Sequence, residues 1–220
     1  MGSFALFTLA AIGVGIYSLS KAFPNFQPAD KKILEDLKSI KAEMQTWMDE
    51  LVPLTKEELE LFSFDQTKQH AKKGLTKNQR GIFTSIYHEP LVAYHYREYL
   101  GNNRNALLYA RTANREYIYR FKKSSVQVVS NQRELGVLQG DQFYEPRQKQ
   151  VLATLNRKQE EWMPLVVKQR EVAAIAKRKA ADKSKLGQRA FDFIRDDMSD
   201  SEREIFLSLA ILEVIEQGLS

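Results

Sequence analysis

Residues 205–215, IFLSLAILEVI, are apolar on every side of the helix they would form, and only Ser208 and Glu213 interrupt them. A helix that is apolar all round must be enclosed by protein or immersed in lipid. Eleven helical residues rise about 17 Å, short of the roughly 30 Å of a bilayer's hydrocarbon core. The acidic residues ahead of it, with Glu213 and Glu216 near its end, also oppose insertion. Ser199-Asp200-Ser201-Glu202 reads as a capping box, with Ser199 as the cap and Glu202 reaching back. The preceding chain must therefore supply an enclosure, and a sheet that wraps around the helix is the economical one.

The middle of the chain has the pattern for such a sheet. From Leu61 to Ile194, period-2 alternation replaces helical periodicity. GIFTSIYHE (81–89) would place Ile82, Thr84, Ile86 and His88 on one strand face. ALLYAR and EYIYRF follow within 106–121, then SSVQVVS (124–130), ELGVL (134–138), QFYEP (142–146), KQVLATLNR (149–157), PLVVKQ (164–169), EVAAIAK (171–177) and AFDFIR (190–195). Asn131-Gln132-Arg133, Gly140-Asp141 and Gly101-Asn102-Asn103 are turn signals. Short strands at regular spacing predict an antiparallel sandwich or barrel. No βαβ unit appears, which disfavours a parallel nucleotide-binding sheet.

Many strands followed by one wholly apolar terminal helix resemble the tubby-like barrel, in its LURP-one-related and phospholipid-scramblase-like branch. The likeness rests on Tyr117–Leu138 and Ser199–Ile215 and spans about residues 61–217. It implies an α+β fold in which a closed antiparallel β-barrel surrounds the C-terminal helix. The chain departs from scramblases in carrying its hydrophobic stretch at the N-terminus and in having no recognisable acidic calcium loop. Calcium-driven lipid movement is therefore not an expectation that the resemblance carries by itself.

Residues 1–20 contain no charged side chain, and Lys21 is the first. Twenty helical residues match the bilayer core, so 1–22 are expected to be a transmembrane anchor. A cleaved signal peptide is the competing reading, but no Lys or Arg precedes the apolar run and no clear cleavage site follows. Lys21, Lys31 and Lys32 follow the segment, so the positive-inside rule leaves the C-terminal part in the cytoplasm. Ala11 and Gly15 form a small-xxx-small pair, more simply read as ordinary small residues of a spanning helix.

Pro24 and Pro28 break the chain before DKKILEDLKSIKAEMQTWMDEL, a helix capped by Asp30 and ended by Pro53. Ile33, Leu37, Ile40, Met44, Trp47 and Leu51 form a strict a/d stripe. The stripe suits a partner helix, and hence a homo-oligomer interface. It is under three heptads long, and packing on the chain's own domain is an equal alternative. Thr55 with Glu58 marks a second helix start. The expected organisation is an anchor at 1–22, a helical stalk or linker at 23–60 and a barrel domain at 61–220.

No chemistry announces itself. The absence of cysteine removes disulfides, thiolate metal sites and thiol nucleophiles. Among His70, His88 and His95, only His88-Glu89 starts like a zinc motif, and Val92 stands where the second histidine would be. No nucleophile-elbow or phosphate-loop motif is present. Asp192, Asp196 and Asp197 read as an acidic lead-in to a helix N-terminus. No catalytic residue, cofactor or metal is therefore expected. Charge says more. The chain carries +5 overall, yet residues 168–189 hold eight basic residues against Glu171 and Asp182. Lys177, Arg178, Lys179, Lys183 and Lys185 are the expected contacts to anionic lipid headgroups; a solvated loop is the plainer alternative. Tyrosines interleave with arginines over 94–120, but no nucleic-acid-binding motif accompanies them, and nucleic acid is not an expected partner.

The expected function is a membrane-anchored, non-enzymatic barrel module that binds anionic headgroups or a protein partner. The alternatives are scramblase-like lipid handling, from the resemblance, and a homo-oligomeric scaffold through 33–51.

Overall fold

A computed structural model describes residues 31–72, 77–99, 103–147, 150–178 and 187–219. The predicted anchor and the Asp30 cap lie outside these residues.

Twelve strands form one antiparallel sheet in which every strand pairs with its sequence neighbours. They are β1 (Phe62–Lys72), β2 (Asn78–Ser85), β3 (Pro90–Glu98), β4 (Asn105–Arg111), β5 (Glu116–Lys122) and β6 (Ser125–Ser130). Then come β7 (Arg133–Gln139), β8 (Gln142–Tyr144), β9 (Val151–Leu155), β10 (Trp162–Val167), β11 (Arg170–Ala176) and β12 (Phe191–Ile194). The sheet curls until its first strand meets the segment leading into its last. Ser63 and Arg189 form an antiparallel bridge. The Phe64 amide donates to the Gln188 carbonyl at 3.1 Å, and that of Ala190 to the Phe62 carbonyl at 2.7 Å. The result is a nearly closed barrel.

Tight two-residue turns fix several registers. Asn131-Gln132 and Lys168-Gln169 have positive φ at both residues, the backbone twist that suits a right-handed hairpin. His88 also has positive φ, at 67°. β2 ends at Ser85, and the Ser85 hydroxyl accepts the amides of Tyr87 and Glu89. His88 therefore lies in a turn and not on the strand face that alternation predicted. Residues 81–89 span a strand end and a turn, because Ser85 closes the hairpin locally. β3 and the length of β1 were not legible as strands.

The C-terminal helix α3 (Asp200–Gly218), preceded in the chain by α1 (Lys31–Met44) and α2 (Lys56–Glu60), runs through the barrel. Its capping box forms as expected: Ser199 Oγ accepts the Glu202 amide, and Glu202 Oε2 accepts the Ser199 amide at 2.8 Å. Ile205 to Ile215 are all buried, Ser208 and Glu213 included. The inward side chains of the sheet pack with them in one core, among them Phe83, Tyr94, Tyr119, Phe121, Phe143 and Leu165. Burying each large apolar side chain contributes about 1.5–3 kcal/mol. The helix thus pins the sheet from inside.

A second layer covers part of the outside. Helix α1 (Lys31–Met44) is followed by a 3₁₀ segment, Gln45–Glu50, and then by α2 (Lys56–Glu60), where Thr55 Oγ1 accepts the Glu58 amide at 3.3 Å. The predicted heptad helix keeps its α-helical form only to Met44. Its stripe, Ile33, Leu37, Ile40 and Met44 with Leu51, packs on Ile82, Ala93, Leu107, Tyr109, Ile118 and Val129. Those are the outward residues of β2–β6. This explains why ALLYAR and EYIYRF are apolar at consecutive positions: one set faces α3 and the other faces α1.

Candidate interaction surface

The neighbour-to-neighbour topology sends alternate turns to opposite ends of the barrel. The turns after β1, β3, β5, β7, β9 and β11 share one rim. The other rim carries those after β2, β4, β6, β8 and β10. Helix α3 enters at the second rim and ends at the first. Near its start, Glu204 is held by Arg115 and Arg133, Ser201 Oγ accepts from Lys168 at 2.7 Å, and Arg170 pairs with Asp197 at 2.8 Å. Near its end, Glu213 is held by Arg157, Glu216 by Arg104 and the Leu219 carbonyl by Lys77.

The interior is occupied by the chain itself. Where the helix is polar, the wall answers it. Tyr119 Oη donates to the Ser208 carbonyl at 2.7 Å. Arg157 Nε donates to Glu213 at 3.1 Å while its Nη1 reaches Asp141 at 2.8 Å. Burial pushes the Glu213 carboxyl above its ordinary value, and the Arg157 guanidinium pulls against that rise. Tyr94 Oη donates to Gln66 at 2.8 Å, and burial pushes its phenol up to about 12.

Of the predicted lipid contacts, Lys177 and Arg178 are described; Lys179, Lys183 and Lys185 lie outside the described residues. Both described residues sit at the first rim and are tied to the barrel. Lys177 Nζ donates to the Arg157 carbonyl at 2.9 Å. The Arg178 amide donates to Gln217 at 2.6 Å, and its guanidinium approaches the Gln217 and Gly218 carbonyls at 3.4 and 3.5 Å. A cation at the negative end of the helix dipole is favourable. Arg178 therefore finishes α3, while Lys177 ties the end of β11 to the neighbouring turn.

Of the predicted oligomer residues, Ile33, Leu37, Ile40, Met44 and Leu51 are buried against the barrel, and Trp47 is half-buried beside them. Polar contacts rim this strap. Asp36 pairs with Arg97 at 2.7 Å, Lys41 with Glu116 at 2.9 Å and Glu43 with Arg80 at 3.0 Å. Beneath it His95 is 2% exposed, with Nε2 2.8 Å from Asn78 Oδ1 and Nδ1 making no hydrogen bond. Burial, with Arg97 beside it, lowers this imidazole to about 4. This polar layer is not legible in the sequence, because Asp36 and Glu43 read as the solvated side of the helix.

A shallow cleft of about 240 Å³ lies at the barrel seam, lined by Glu60, Arg189, Phe191, Asp192, Phe193 and Ile194. Among the described residues, no group of three or more His, Asp or Glu is placed to hold a metal. Nor is any helix there long and apolar enough to cross a membrane. No protein-family model, curated protein or solved structure matches the chain.

Proposed function

We propose that this chain is a non-enzymatic interaction module held at a membrane, with its barrel in the cytoplasm and anionic lipid headgroups as its ligand. Residues 1–22 act as the anchor, supported by twenty uncharged residues ahead of Lys21. Lys177 to Lys185 carry the charge that draws the barrel to the bilayer. One observation carries the reading: the basic segment departs from the same rim at which α1 begins. Asp36, near the start of α1, meets Arg97 near that rim. Val52, beyond its end, bonds to Pro90 at the other rim. An anchor preceding Lys31 would thus bring the basic rim, and not the opposite one, towards the lipid. A filled interior also favours binding on the outside over a reaction within. We further propose that the barrel is of the tubby-like kind, in the LURP-one-related and scramblase-like branch. The terminal helix enclosed by neighbour-paired strands supports this.

Liposome flotation of the full chain and of a chain lacking residues 1–22 tests the function. The full chain should float with any vesicle and resist an alkaline wash. The shortened chain should float only with vesicles containing phosphatidylserine and should be released by salt. Flotation of the shortened chain that ignores both lipid charge and salt would reject the role of the basic segment.

A further inference from the structure

We infer that the headgroup-binding surface is an arc of the first rim assembled from four separate chain segments, and that the barrel meets the bilayer tilted onto this arc. The inference rests on the membrane reading above and names the side that docks. It follows from the order of the strands. Turns that share a rim and belong to adjacent strand pairs are neighbours in space. Going round the rim from the β11–β12 connection, the next turn is β1–β2, then β3–β4, then β5–β6. The start of α1 lies over the strands between the last three.

Each of these segments is basic. The β11–β12 connection begins with Lys177 and Arg178. Lys72 ends β1, Lys31 and Lys32 open α1, and Lys123 forms the β5–β6 turn. Lys31, Lys32, Lys72 and Lys123 are exposed and have no acidic partner among the described residues. Of the four acids of the arc, Asp36 is engaged by Arg97 and Glu216 by Arg104, and Glu35 and Glu98 remain. The remaining sector of the rim differs. There Asp141 holds Arg157, and Lys158 shares its turn with Glu160 and Glu161. The second rim is mixed: its Arg115 and Arg133 pair with Glu204, Lys56 with Asp196, and Arg170 and Arg195 with Asp197, while Glu57, Glu58, Glu89 and Asp200 add negative charge. Positive charge is thus gathered on one side of one end, next to the point where the preceding residues join. A bilayer with a negative surface potential attracts such a surface within a Debye length.

Because the chain has no cysteine, a single introduced one carries the only thiol label. The full chain is reconstituted in vesicles of phosphatidylcholine with or without phosphatidylserine. A fluorophore is placed in turn at N103C in the arc, Q159C across the rim and Y87C on the second rim, all exposed positions. A headgroup quencher should reach the label at 103 most, that at 159 less and that at 87 least. The difference should fade without phosphatidylserine or at high salt. Adding K72E and K123E, folded by circular dichroism, should lower the docked-to-undocked ratio by about five-fold or more for each lysine removed. Equal quenching at 103 and 87, or quenching at 103 indifferent to phosphatidylserine, overturns the inference while the anchor stands. Release of the chain by an alkaline wash removes the membrane reading and the inference with it.

Discussion

Tyr119 on β5 donates its hydroxyl to the carbonyl of Ser208, 2.7 Å away in the middle of α3. Both residues are completely buried. The bond ties the helix to the wall at one depth and sets which helix face meets β5. Removing it leaves a carbonyl that still has its helical partner, so the cost is that of one hydrogen bond. Tyr119→Phe should lower unfolding stability by about 1 kcal/mol in urea titration, with the slope unchanged. A loss several times larger would mean that the phenol supports the barrel in some other way.

Glu213 is 3% exposed and leans on Arg157. Arg157→Ala strands a buried carboxylate, which should cost about 3 kcal/mol at pH 7. The sign of its pH dependence is diagnostic. Burial already raises the Glu213 carboxyl, and without the guanidinium it rises further. A raised acid binds its proton in the folded state before the unfolded chain does. The variant's deficit relative to the parent should therefore shrink as pH falls from 7 towards 5. Thermal melts at the two pH values give the answer, and Arg157→Ala with Glu213→Gln together should be less damaging than Arg157→Ala alone.

His95 should make the protein sensitive to mild acid. Its folded pKa, about 4, lies below the ordinary histidine value near 6.5. Between those values the unfolded chain takes up a proton that the folded one refuses. Stability from this group is full above about pH 6.5 and is lost as pH falls towards 4, by roughly 3 kcal/mol in all. His95→Gln should flatten this part of the stability profile. An identical acid slope in the variant would place the sensitivity elsewhere.

Leu37 tests what the heptad stripe does. It is 3% exposed, against the outer wall of the same chain. Leu37→Asp should cost about 4 kcal/mol by combining a lost core side chain with a buried charge. The sedimentation coefficient of the folded protein should stay the same. A fall in mass with stability intact would assign the stripe to a partner chain.

The stripe also marks the limit of periodicity. Spacing located an amphipathic helix and its buried side, but an apolar stripe looks alike to a partner helix and to the chain's own sheet. Only the strands can decide, because the outer residues Ile82, Leu107, Tyr109 and Ile118 form a surface once β2–β5 are side by side. His95 shows the same limit. In sequence it is one histidine among tyrosines, whereas its burial depends on α1 lying over β3.

Sequence alone determined the terminal helix, its cap and the need for an enclosure, since an apolar circumference admits few solutions in water. It also determined most strands, because alternation is a local consequence of the pleat. Tertiary structure decided the rest: the number of strands, the closure at Ser63 and Arg189, and which lysines share a rim. These depend on strand order, which joins residues as distant as Lys31, Lys72, Lys123 and Arg178, and no local pattern encodes that.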